Sequence, residues 1–179
     1  MPTFGDTTQG GSSFPCTDGR VIVGKFTLSE AGDVQSITCF FASGQSAGTS
    51  FKGLIYDATG SGGNPGALVA IGAAVAVPGT TGGELTSALG SPVSLAAGDY
   101  WIGSVVNSFE ARWSADAGVG GQRQEGVSYA SPSGPFGTPA GSTSDRISAY
   151  ATYTTGGVGP LLAGKLVKAG RLRGFLKRA

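Results

Sequence analysis

Histidine is absent from this 179-residue chain, cysteine occurs twice and methionine once. Without imidazole, a Ser-His-Asp or Cys-His nucleophile is ruled out, as is any metal site that needs a histidine ligand. Cys16 and Cys39 cannot complete an ordinary zinc site by themselves, and two cysteines are too few for a disulfide-scaffolded fold. Their spacing does not say whether they pair. Charged residues are scarce too, at 13%. Long apolar runs are missing: the longest, residues 67–77, is interrupted by Gly72, whereas a spanning helix needs roughly 20 residues. The first 20 residues are polar and Gly-rich, with neither a basic start nor an apolar core, so a product made in the cytoplasm is expected.

Other chemistry is excluded by spacing. No S-x-x-K occurs, and a phosphate loop fails because Gly24-Lys25 is followed by Phe26 and Gly164-Lys165 by Leu166, where Ser or Thr is required. Paired carboxylates are the one catalytic pattern the composition leaves, with Glu110, Asp116 and Glu125 near Trp113. Solvated carboxylates at strand ends are the simpler account. Asp57, Thr59 and Ser61 place oxygen-bearing side chains alternately in a Gly-rich loop, but the EF-hand spacing with its closing Glu is absent, so a turn is preferred to a calcium site. The expectation is a protein that is not an enzyme and needs no cofactor or metal.

What the chain does have is 33 glycines and 40% apolar residues, which together suit a globular fold with many turns. Period-two alternation predicts strands over residues 20–28 and 33–43, joined by the Gly-closed turn at 29–32. Further strands are expected over 50–56, 68–77, 92–95, 99–107, 109–114, 126–130 and 146–153. Between them stand turn-formers such as residues 57–66, 78–83 and 131–135. The GVGGQ stretch at 118–122 is expected as a loop. Eight or nine short strands with such connections predict an all-β, antiparallel sandwich, most plausibly a jelly roll. The predicted organisation is an N-terminal arm at 1–19, a β-sandwich domain at 20–155 and a basic tail at 156–179.

That tail has its own character. Residues 1–155 hold six Lys and Arg against eleven Asp and Glu, a formal charge of minus five; residues 156–179 hold six Lys and Arg and no carboxylate. Leu162, Leu166, Ala169, Leu172 and Leu176 recur at helical spacing, with Lys165, Lys168, Arg171, Arg173, Lys177 and Arg178 mostly off that stripe. Gly164, Gly170 and Gly174 each cost about 1 kcal/mol relative to Ala, so the amphipathic helix is weak and a partner should order it. These residues, with Phe175 as the tail's one aromatic, are the candidate partner-binding set. Docking onto neighbouring protein subunits is preferred, membrane contact comes second, and nucleic acid third.

Four stretches carry a resemblance: Phe4-Gly5-Asp6-Thr7-Thr8, KFTLSEAGDVQSIT at 25–38, GLIYDATGSGGNPGALVA at 53–70 and SPVSLAAGDYWIG at 91–103. Over residues 4–153 the chain resembles a jelly-roll-like β-sandwich module found in phage virion proteins and some bacterial surface proteins. The resemblance implies architecture and a setting on a virion or cell surface, and it brings no active site. The expectation is therefore a phage virion structural protein, either a minor tail or tail-tip component or a capsid decoration protein. Homo-oligomers, including trimers, fit this reading, as does anchoring through the tail. The alternative is a carbohydrate-binding surface module. For it, Trp113, Tyr129 and Tyr150 are the candidate rings on an exposed face, whereas the aromatics inside apolar strands are read as core.

Overall fold

β-Branched and aromatic residues at alternate positions favour extended chain, because one row of side chains can be buried while the other faces water. A computed structural model of the protein describes residues 1–15, 19–43, 48–79, 81–108, 111–124, 127–132, 134–138 and 141–156. Cys16, Glu110, Glu125 and the segment after Gly156 lie outside those residues. The described strands are Thr3–Gly5 (β1), Ser12–Pro15 (β2), Val21–Leu28 (β3), Gly32–Phe41 (β4), Ser50–Asp57 (β5), Leu68–Ile71 (β6), Val75–Ala76 (β7), Gly83–Leu95 (β8), Gly98–Val106 (β9), Arg112–Gln124 (β10), Gly141–Ile147 (β11) and Ala149–Thr155 (β12). All pair antiparallel, and the all-β sandwich expected from the alternation is what they form.

Sheet one runs β1-β12-β4-β8, in which Gly5 faces Tyr150, Tyr150 faces Thr38 and Thr38 faces Thr86. Sheet two runs β11-β10-β3-β9-β5-β6, with β2 beside the start of β10 and β7 beside the start of β5. The sheets join at one corner. Trp113 of β10 pairs with Phe41 of β4, and β11 passes into β12 through Ser148. There Ser148 N donates to Ser114 O at 3.0 Å, and Phe40 N donates to Ser148 O at 3.0 Å.

Between the sheets lie Ile22, Phe26 and Leu28 of β3, Val34, Ile37, Cys39 and Phe41 of β4, and Phe51, Ile55, Ile102 and Val106 of β5 and β9. Burying each such side chain stabilises the fold by roughly 1.5–3 kcal/mol. Phe4 closes one end, edge-on to Tyr100 and Tyr153 at 6.1 and 6.0 Å. A second cluster covers the outer face of sheet two. Val21, Val23, Leu54, Tyr56, Trp101 and Val105 are roofed there by Val127 and Phe136, the latter edge-on to Tyr56 at 5.0 Å. The roof is held by Val127 N donating to Gly19 O (2.8 Å), by Phe136 N donating to Gly66 O (2.7 Å), and by the Lys52 ammonium, which donates to the carbonyls of Tyr129 (2.9 Å) and Ala130 (3.1 Å).

Several elements differ from the sequence reading. Residues 3–5 and 12–15 of the expected arm are strands that zip onto β12 and β10, so this segment belongs to the sandwich. The short strand expected at 92–95 is the end of a 13-residue strand. The GVGGQ stretch lies within β10, where the register against β11 shifts between Ala117 and Gly121; a bulge accommodates glycines that elsewhere mark a loop. Residues 127–130, expected as a strand, belong to the roof instead. The run at 68–77 is divided into β6 and β7.

In β8, Val93 faces Val34 and Ala88 faces Ser36, so residues 89–92 bulge out of the ladder opposite Gln35. Leu89 in this bulge forms a bridge with Gly72, and Ala73 N donates to Ala88 O at 2.8 Å. The bulge thereby closes the far edge of the sandwich, opposite the corner.

Candidate functional site

Charge is divided between the two sheets. Arg20, Lys25, Lys52, Arg112, Arg123 and Arg146, all six basic residues ahead of the tail, lie in or directly beside strands of sheet two. The four strands of sheet one carry no Lys or Arg. Their charges are Asp33 on β4 and Glu84 on β8, with Glu30 in the preceding turn. Ser94 Oγ donates to Asp33 at 2.5 Å, Tyr150 donates its hydroxyl to Glu84, and the Tyr153 hydroxyl donates to Glu30 at 3.4 Å. Thr86, Thr152, Thr154 and Ser94 add hydroxyls to this outer face, and Thr86 is bonded at 2.9 Å to the buried hydroxyl of Thr38. β12 ends at Thr155, and Gly156 after it has a φ of +95°, which suits glycine. The cationic segment thus follows directly on the cation-free sheet.

The aromatic candidates do not form a platform. Trp113 is wholly buried, which corrects its assignment to an exposed face: its ring packs against Phe14 at 5.8 Å, and its indole N–H donates to Ser104 Oγ at 2.7 Å. Alternation explains it, since Arg112 points to solvent and the next residue must point to the core. Tyr129 is half-buried under the Lys52 ammonium, 4.8 Å from its ring centroid, outside sheet two. Tyr150 is half-buried on sheet one beside Phe40, 6.2 Å away. The three rings therefore lie on different surfaces.

Of the carboxylates weighed for hydrolysis, Asp116 is described, and its partner is one the sequence did not suggest. It is hydrogen-bonded to Asp6 beside Arg146, whose guanidinium lies 3.8 Å from Asp6 and 4.7 Å from the centroid of Phe26. Gly24 makes room for it, because a Cβ there would stand 2.5 Å from Arg146 Cγ. The hydrogen bond to Asp6 pushes the Asp116 carboxyl above its usual range, with burial and the Asp6 charge adding to it. Burial acts to raise Asp6 as well, but hydrogen bonds from Asp116 and Thr8 and the charge of Arg146 leave it below its usual value. One proton shared by two carboxylates stitches the segment after β1 to β10 and β11.

The Asp57 loop is a turn. Asp57 Oδ1 accepts from Thr59 N (3.1 Å), Thr59 Oγ1 (2.6 Å) and Ala67 N (3.0 Å). Partial burial works against the charge, but these donors prevail and hold the carboxyl below its usual range. No group of three or more His, Cys, Asp or Glu placed to hold a metal occurs among the described residues. Cys39 is a free thiol in the core, its pKa pushed up to about 12 by burial. The partner-binding set Leu162, Lys165, Leu166, Lys168, Arg171, Leu172, Arg173, Phe175, Leu176, Lys177 and Arg178 lies outside the described residues. Compared with protein-family models, with curated proteins and with solved structures, the chain matches none.

Proposed function

We propose that this protein is a non-enzymatic structural component of a phage virion, a sandwich of jelly-roll type displayed on the particle as a minor tail or decoration subunit. Its basic C-terminal segment joins it to neighbouring subunits. The observation that carries the reading is the unbalanced segment itself: six cations and a row of leucines follow Gly156, where the chain leaves a sheet with no cation of its own. The described carboxylates of the body support it as well, because they are engaged in closing turns and tying strands. A glycan-binding role finds less support, since its strongest ring, Trp113, is core.

Deleting residues 158–179 and measuring incorporation into particles tests the proposal. Loss of incorporation with an unchanged circular dichroism spectrum is the expected result, and full retention would refute it. Attachment that persists from low to high salt would assign the larger share to the leucines, because exposed charge pairs are screened beyond about 10 Å at 0.1 M salt.

A further inference from the structure

At the sandwich edge away from the corner, β6 and the β8 bulge stand side by side as the last strands of their sheets. Between them lies a largely apolar groove of about 250 Å³, lined by Leu68, Val69, Ile71, Leu89, Gly90 and Val93. Ile71 is 39% exposed there, the one large apolar side chain besides Met1 left in solvent among the described residues. We propose that this groove receives the chain's own C-terminal segment, with Leu162 and Leu166 covering Ile71 and Leu89.

Three observations select that occupant. The first is position. Thr155 at the end of β12 faces Gly32, and Gly32 faces Leu95 of β8, so the exit is two strand spacings, about 10 Å, from the strand that forms one wall. Val93 to Leu89 lie only two to six residues further along that strand. The second is length: 23 residues follow Gly156, and extended chain covers about 3.3 Å per residue, so Leu162 and Leu166 reach the groove with slack. The third is charge. Every charged side chain on the strands between exit and groove is a carboxylate, and Asp33 and Glu30 lie nearest the route that Lys165 and Lys168 would follow. A short tether also raises the effective concentration of the leucines at the groove to the millimolar range, which favours the chain's own segment over that of another copy.

The groove goes beyond the attachment proposed above and is separable from it. Trypsin cleavage after Lys168 and Arg171, in dilute full-length protein, reads occupancy. In the native chain these bonds should be cut about tenfold more slowly than in Ile71→Asp, or in a Leu162→Ser, Leu166→Ser double variant whose body is untouched. The native rate should not change with protein concentration. Equal cleavage in all three proteins would overturn the proposal. So would protection that grows with concentration, because the occupant would then be another copy. If Ile71→Asp still enters particles while the 158–179 deletion does not, the attachment reading stands whatever the groove holds.

Discussion

Sheet two is buried on both faces, whereas sheet one is buried on its inner face and covered on its outer face only locally, where Thr38 and Phe40 of β4 lie beneath their neighbours. β12 shows strict alternation between buried and half-buried residues, and β8 alternates in the same way outside its bulge. By contrast, β3 and β9 run Val-Ile-Val and Ile-Gly-Ser-Val-Val through buried positions, because the roof formed by Val127 and Phe136 leaves no solvent face there. Charge follows the same division. Sheet two has long cationic side chains, which neutralise carboxylates or clamp the roof as Lys52 does, whereas sheet one keeps a polar, hydroxyl-bearing face with carboxylates alone. Under the proposals above, such a face would receive the cationic, leucine-bearing segment that follows it in the chain.

Four substitutions sharpen the contrast, taken in order of the size of the change in stability each should produce, whatever its sign. Trp113→Ala removes the ring at the corner where both sheets meet and orphans Ser104; a loss of about 4 kcal/mol is expected by urea unfolding, with both sheets melting together. Phe136→Ala should cost about 3 kcal/mol, and hydrogen exchange should rise first in β5 and β9 beneath the roof while β12 stays protected. Exchange that rises equally in both sheets would show that the roof is not a separate unit.

Asp116→Asn probes the stitch through its pH dependence. Because the folded Asp116 value is raised, its contribution is full below the ordinary carboxyl pKa and is lost as pH rises through the raised value. Asp6, whose value is lowered, behaves oppositely and loses its contribution as pH falls. The stitch is therefore strongest near pH 4, about where one proton remains on the pair. Asp116→Asn should leave stability at pH 4 nearly unchanged and raise it at pH 7 by about 0.5 kcal/mol after allowance for solvent screening, measured as the change in Tm between the two conditions. Thr152→Ala on the outer face of sheet one should fall within about 0.5 kcal/mol of the native protein. A larger loss there would mean that this face is covered.

The antiparallel sandwich was legible because β3, β4, β5 and β9 carry dense β-branched and aromatic runs between Gly-closed turns. What escaped has physical causes. Only residues 92–95 of β8 read as a strand, because Gly83, Ser87, Gly90 and Ser91 dilute its apolar residues and the strand is held by pairing to β4 rather than by propensity. β10 was shortened because its glycines sit in a bulge, where pairing tolerates them. Trp113 was placed outside because its neighbours Arg112 and Ser114 are polar, although alternation puts it on the opposite face from both. The Asp6–Asp116–Arg146 stitch could not be seen, since 110 and 30 positions separate its members and only topology unites them. The charge split between body and tail was plain in the sequence, whereas the split between the two sheets appears only once strand order is known.

Carbodiimide cross-linking of the full-length protein, read by mass spectrometry, tests the central claim that the cationic segment belongs with the cation-free sheet. The account predicts zero-length links from Lys165 or Lys168 to Asp33, Glu30 or Glu84. Links from those lysines to Asp57, Asp99 or Asp145 of sheet two, with none to sheet one, would contradict it.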